Sequence, residues 1–265
     1  MTINKKPGNK ALEGRTIVIT RPVEQAQLLC QMVKDAGGDC VQFPLLKISP
    51  LTDYSSLDPT FKQLSQFDFA IFVSSNAVDQ AFHRLHQLNV DFPKSIACIA
   101  VGPSTSAALS AQGLTAITPP SRFDSEGLLA LEELQHLSNK KVLLVRGVGG
   151  RELIASTLRA RGAIVVLAEC YQRKQPQPNC AELDTLWQNQ GISAVLITSS
   201  EAMRHLLDLA QDRPWLSQTK LIVNHARVQE QIHLHYQGPN LSVVVAEATD
   251  DQAMFKALLQ QFHQG

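Results

Sequence analysis

The sequence predicts an α/β protein built as two similar lobes, each with a parallel sheet covered by helices. Two observations carry that prediction. The first is the stretch from Lys141 to Arg173, KVLLVRGVGGRELIASTLRARGAIVVLAECYQR. Val142 to Val145 is a short apolar run of buried-strand type, stopped at Arg146-Gly147, with Gly149-Gly150 beyond. Leu153, Leu158 and the alanines form a helical apolar stripe closed by Gly162, and Ile164 to Ala168 is a second strand. Strand, glycine turn, helix and strand make a βαβ unit. The second observation is that this unit opens the chain as well. Thr16 to Thr20 is its strand, Arg21-Pro22 its turn, Gln25 to Ala36 its helix, Gly37-Gly38 its stop and Cys40 to Phe43 its next strand.

Arg21 and Arg146 stand 125 residues apart, as do Gly37 and Gly162. Ser74-Ser75 pairs with Ser199-Ser200 and Gln112-Gly113 with Gln237-Gly238 at the same offset. Asp124-Ser125, ahead of a helical LLALEEL, answers to Thr249-Asp250 ahead of AMFKALL. A constant offset over several blocks is an internal duplication; two copies are too few for a solenoid and read as two lobes.

Between these blocks the elements follow in order. Phe43 to Pro50 is bracketed by prolines and should be extended, and so should Glu169 to Pro178. These two segments are the expected linkers, 43–50 and 168–176, paired as a short hinge ladder. Residues 53–66 are polar with helical tendency. Strand Phe69 to Val73 leads through Ser74-Ser75-Asn76 into a helix over Ala77 to Leu88. Strand Ile96 to Val101 leads through Gly102-Pro103-Ser104-Thr105 into a helix over Ser106 to Ala111, and a short strand spans Thr115 to Thr118. Asp124 or Ser125 caps the next helix. The second copy has strand Ala194 to Thr198, turn Ser199-Ser200, helix Ala202 to Ala210, strand Leu221 to Val223, turn Asn224-His225, helix Arg227 to Tyr236, strand Ser242 to Ala246 and a terminal helix. Periodicity leaves open which lobe takes the first βαβ unit.

Composition narrows the function classes. The chain is 44% hydrophobic with zero formal net charge, so each half can bury a core, and no general electrostatic grip on nucleic acid or membrane is expected. No stretch approaches the roughly 18 apolar residues of a membrane span. Residues 1–13 read as a loose polar tail rather than a signal peptide. The five cysteines have an odd count, irregular spacing and no CxxC, which suits small core residues in a reducing cytoplasm.

The candidate site lies on the strand-to-helix turns, which in parallel sheets gather at the carboxyl edge where ligands bind. They are Thr20-Arg21, Ser74-Ser75-Asn76, Gly102 to Thr105 with Ser104, Arg146-Gly147, Thr198-Ser199-Ser200 and Asn224-His225. Each starts a helix, whose free N–H groups and positive dipole end attract anions. One alone is an ordinary cap; six rimming a cleft between lobes suit a polycarboxylate. Arg21 and Arg146 are either carboxylate ligands or members of a surface ion pair or of bonds to loop carbonyls. Tyr171 is either a proton donor to a departing hydroxyl or a packing aromatic at the hinge. Gly147-Val148-Gly149-Gly150-Arg151 is neither GxxxxGK[ST] nor GxGxxG, which argues against a nucleotide. The eight histidines are not joined by the acids or cysteines of a metal set.

TIVITRP, FPLLKI, FVSSNAV, AVGPSTSAAL, FDSEGLL, VLLVRGVGGRELIASTLRARGA and the AECYQR run, in this order and spacing, resemble the uroporphyrinogen-III synthase family over about residues 14 to 260. The resemblance implies two flavodoxin-like lobes joined by a two-stranded linker. The first lobe would be discontinuous, 14–43 plus 174–265, and the second would span 47–168. It implies cyclisation of hydroxymethylbilane to uroporphyrinogen III, with loss of water and inversion of ring D, and neither metal nor organic cofactor. It puts Tyr171 on the family's tyrosine, proposed to assist hydroxyl departure, and Ser74, Thr105 and Ser199 on cleft positions. Some members carry a late Gly-x-x-Thr turn; Asn224-His225-Ala226-Arg227 stands there instead, making Asn224 and His225 the substitutes. A cytoplasmic monomer is expected, with transient handover to neighbouring pathway enzymes. The rival readings are a non-catalytic hinged binder of a small polyanionic metabolite and a sugar- or nucleotide-dependent transferase lacking its phosphate loop.

Overall fold

In the computed structural model, residues 11–176 and 179–262 are described. Most of the expected tail, Pro178 and His263 lie outside them. The chain runs β1 (Thr16–Ile19), α1 (Val23–Asp35), β2 (Asp39–Gln42), β3 (Lys47–Ser49), α2 (Asp58–Phe61), β4 (Phe69–Phe72), α3 (Ser75–Leu88), β5 (Ala97–Ala100), α4 (Pro103–Ala111) and β6 (Ala116–Ile117). It continues α5 (Ser125–Leu129), β7 (Lys141–Gly147), α6 (Glu152–Ala160), β8 (Ile164–Lys174), α7 (Cys180–Asn189), β9 (Ala194–Ile197) and α8 (Ser200–Ala210). The last elements are α9 (Pro214–Gln218), β10 (Lys220–Val223), α10 (Ala226–His235), β11 (Ser242–Val245) and α11 (Asp251–Gln260).

Two compact units result, one from the chain up to Lys47 and from Gln175 onward, the other from Ile48–Lys174. The first unit's sheet has the order β11-β10-β9-β1-β2, with parallel pairing throughout. Numbered within the unit this is 2-1-3-4-5, the doubly wound order of flavodoxin-like sheets. The second unit's sheet has the order β3-β8-β7-β4-β5-β6. Setting β3 aside and starting from β7, this is the same order. The βαβ unit β7-α6-β8 therefore does in the second unit what β1-α1-β2 does in the first. Each copy of the duplicated sequence lends its βαβ unit to the sheet of the other copy, and register Val18↔Val195 fixes the exchange.

Strand alternation sets the cores. Val18 faces a cluster with Val195, Leu206 and Trp215, while Ile17 and Ile19 face Leu29, Leu196 and Leu258 on the other side. In the second unit Leu143 and Val145 join Phe72, Phe82 and Leu109, whereas Val142 and Leu144 join Leu128, Ile154 and Leu158. Both faces of each sheet are thus covered, which is why its strands read as continuous apolar runs. Gly37 and Gly162 hold φ of 86° and 90° just after α1 and α6, where a left-handed residue closes a helix.

Several boundaries differ from the sequence reading. The strand expected to stop at Ala168 continues as β8 to Lys174, with β7 on one side and β3 on the other. The two segments read as linkers thus pair with each other as β3 and β8, at the edge of the second unit's sheet. Arg146 and Gly147 belong to β7 rather than to a turn. Ser104 and Thr105 lie in the first turn of α4, because Gly102 is the N-cap and Pro103 starts the helix where its missing N–H costs nothing. Helices α7 and α9 have no counterpart in the sequence reading. The cysteines are not all free: α1 packs back on β2 and brings Cys30 and Cys40 into a disulfide with Cα atoms 5.5 Å apart, while Cys98, Cys170 and Cys180 are free and buried.

Candidate active site

The carboxyl edge of the second unit gathers four of the expected groups. Strand β4 ends at Phe72, and the chain turns through Val73 to Ser74, the N-cap of α3. The Ser74 hydroxyl accepts from Ala77 N–H at 3.1 Å. Beside it, β7 and β8 part by one residue. Arg146 pairs with Glu169, but Gly147 pairs with Tyr171, which leaves Cys170 as the extra residue of a β-bulge. The bulge re-aims Tyr171 along the edge. Its side chain is only 1% exposed, and its hydroxyl oxygen lies 3.3 Å from Ser74 Oγ. Gly147 is required under the ring, because a Cβ there would stand 2.7 Å from two ring carbons. Val148 N–H donates to the Tyr171 carbonyl at 2.8 Å. Cys170 Sγ bonds the carbonyls of Ala77 and Arg146, and burial pushes this thiol up to about 12. Ser75 and Asn76 open α3, Ser104 is exposed on α4, and Thr105 is 1% exposed. Gly102 packs on Phe123, with 3.0 Å left for a Cβ.

Arg146 is not free to hold a substrate carboxylate in this conformation. A guanidinium has five N–H donors, and all three of its nitrogens are engaged within the unit. Nε and Nη2 reach Glu169 Oε1 at 3.3 and 3.1 Å, Nη2 reaches Glu152 Oε1 at 2.8 Å, and Nη1 reaches the carbonyls of Gly150 and Arg151, each at 3.1 Å. Of the two roles left open for this arginine, the geometry favours the local one.

The carboxyl edge of the first unit repeats the pattern. Ser199 caps α8, accepting from Ala202 N–H at 3.0 Å. Arg21 is also engaged: it pairs with Asp251, and its Nε donates to Thr198 Oγ1 at 3.2 Å. Ser200 Oγ reaches the Arg227 carbonyl at 3.5 Å. His225 takes the capping role that serine or threonine usually fills, its Nδ1 accepting from Arg227 N–H at 3.0 Å. That bond puts the imidazole proton of the neutral ring on Nε2. Among the described residues, Asn224 Oδ1 beside it has no hydrogen-bond donor and is buried.

Sequence reasoning missed Glu169 and Glu152 as partners of Arg146, and Asp251 as partner of Arg21. The available signal was the apolar run leading into Arg146, since a guanidinium buried at the end of a strand calls for carboxylates.

Two flavodoxin-like units whose carboxyl edges carry a buried tyrosine, capping hydroxyls and helix N-termini define an α/β protein suited to polar or anionic ligands. Residues 27–256 match the family model described as Uroporphyrinogen-III synthase HemD. A uroporphyrinogen-III synthase from Escherichia coli (strain K12) is 34% identical over 248 residues, covering 92% of this chain and 99% of its own. One from Proteus mirabilis is 39% identical over 195 residues, covering 72% of this chain and 97% of its own. In structure, a mutant uroporphyrinogen III synthase from Thermus thermophilus superposes with a TM-score of 0.63 at 15% identity, covering 95% of this chain and all of that one. The uroporphyrinogen-III synthetase from Helicobacter pylori 26695 gives 0.61 at 16% identity, covering 93% of this chain and 99% of that one. These two likenesses are of fold. The chain belongs to the uroporphyrinogen-III synthase family.

Proposed function

We propose that this protein converts hydroxymethylbilane to uroporphyrinogen III, with the chemistry at the carboxyl edge of the second unit. The observation that carries the reading is the hydroxyl pair of Tyr171 and Ser74, 3.3 Å apart and backed by Gly147, in a chain of this family. The first step breaks the bond from carbon to the terminal hydroxyl of the bilane. The Tyr171 phenol gives its proton to that oxygen, which leaves as water, and a cationic methylene-pyrrolenine remains. Ser74 donates to the Tyr171 oxygen and stabilises the charge forming on it. The substituted carbon of ring D attacks the methylene, giving a spiro intermediate that breaks and recloses with the ring inverted. The proton lost as the last pyrrole regains aromaticity returns to the Tyr171 oxygen, so water is the only by-product.

The rest of the task is positioning, because the uncatalysed chain closes the other way. The N–H groups at the starts of α3 and α4 in the second unit, with Ser75, Asn76 and Ser104 beside them, are suited to carboxylates, and so, within the first unit, are those of α8 and α10 with Thr198, Ser199, Ser200 and His225 Nε2–H. The proposed setting is the cytoplasm, with the protein a monomer that hands its product on transiently. Among the described residues no helix is long and apolar enough to cross a membrane.

The test is an assay with freshly generated hydroxymethylbilane, separating the isomers of the oxidised product. Dominant type III is expected. Type I alone, from folded protein, would refute the reading and turn attention to a binding role for the same edges.

A further inference from the structure

We infer that Arg146 is a positioning residue for Tyr171, acting through the bulge between β7 and β8. The inference rests on the catalytic reading of Tyr171 above. Arg146 is 5% exposed and sits where the two strands part. Its guanidinium ties two pieces of chain to the end of β7: Glu169 on β8, and the 150–152 segment leading into α6, through the carbonyls of Gly150 and Arg151 and the Glu152 carboxylate. Glu169 lies two residues before Tyr171, and Gly147, the floor under the Tyr171 ring, follows Arg146 directly. The turn is wrapped tightly on the arginine stem, since a Cβ on Gly150 would stand 3.0 Å from Arg146 Cδ. The bulge is closed from its other side by Val148 N–H on the Tyr171 carbonyl and by Cys170 Sγ on the Arg146 carbonyl. The floor and the ring are therefore referenced to one planar group.

Lysine keeps the charge but has one nitrogen and three donors, and it cannot span acceptors arranged around the edge of a plane. Arg146→Lys should let Gly147 and Tyr171 drift, and a misplacement of about 1 Å costs on the order of 10²-fold in rate. The expected result is kcat lowered roughly 10- to 100-fold with KM within about twofold. Glu169→Gln, which keeps the shape and one acceptor, should fall between wild type and Arg146→Lys. A carboxylate-binding role would instead raise KM.

The deciding experiment is a double-mutant cycle for type III formation with Arg146→Lys and Tyr171→Phe, with thermal melts confirming that each variant is folded. If Arg146 acts through the Tyr171 hydroxyl, Arg146→Lys costs little further kcat in the Tyr171→Phe background. Fully additive costs would overturn the inference. Should Tyr171→Phe alone leave kcat unchanged, the catalytic reading fails, and the positioning claim is decided separately by ¹⁹F NMR. The chain has three tyrosines. With 3-fluorotyrosine incorporated, the resonance lost in Tyr171→Phe belongs to residue 171. Arg146→Lys should shift or broaden that resonance alone; an unmoved resonance would overturn the inference.

Discussion

The ring of Tyr171 lies against Gly147 so closely that a single added methyl group at 147 would stand 2.7 Å from its Cε2 and Cζ. The contact joins the bulge of β7 and β8 to the hydroxyl pair with Ser74. The backbone at 147 leaves the ring no room on that side. Gly147→Ala should therefore cost about 1–3 kcal/mol of stability, the usual range for overpacking, and reduce type III formation more than mild destabilisation explains. Urea melts and the isomer assay on one preparation check both. Wild-type kcat in this variant would mean that the ring's place does not matter to turnover.

Ser74 and Ser199 hold equivalent places in the two copies and make the same cap, accepting from the N–H three residues on. Alanine at either should cost about 1 kcal/mol. Only Ser74 also meets Tyr171. Ser74→Ala should thus lower kcat, whereas Ser199→Ala should act on KM. Equal kinetic effects from the two would contradict a special role for the Ser74 and Tyr171 pair.

Burial pushes the thiols of Cys98 and Cys170 up to about 11 and about 12, from an ordinary 9.0. A thiol whose folded value is raised stays protonated to higher pH in the folded state than in the unfolded chain. Its contribution to stability is complete below about pH 9 and is lost as pH rises through the folded values. Stability should accordingly fall between about pH 9 and pH 12, and Cys98→Ala/Cys170→Ala should flatten that fall. Native protein at pH 8 should resist iodoacetamide at both positions, as read by peptide mass spectrometry. Rapid labelling of Cys170 would show that the bulge opens.

The βαβ units, the duplication and the parallel sheets are legible in the sequence because apolar runs and glycine stops are local signals. The home of the first unit is not legible from periodicity, since the exchange depends on a pairing such as Val18 with Val195, 177 residues away. Arg146 reads as a turn residue because glycines follow it. Its place in β7 depends on a bulge, and a bulge exists only relative to a partner strand. Tyr171 is legible as a candidate, but its burial and its bond to Ser74 are not, because the apolar run of the strand carrying it ends at Ala168. The Cys30 and Cys40 pair is hidden for a similar reason: their spacing has meaning only once α1 lies on β2.

Tyr171→Phe isolates the chemical role of the phenol, because it removes one hydroxyl and leaves the ring on Gly147. The measurement is steady-state kinetics of type III formation with isomer analysis. If the phenol is the proton donor, kcat falls roughly 10²-fold or more with little change in KM, and type III is still the enzymatic product, since positioning of the chain persists. A kcat equal to wild type would contradict that role and leave Tyr171 a packing residue of the bulge.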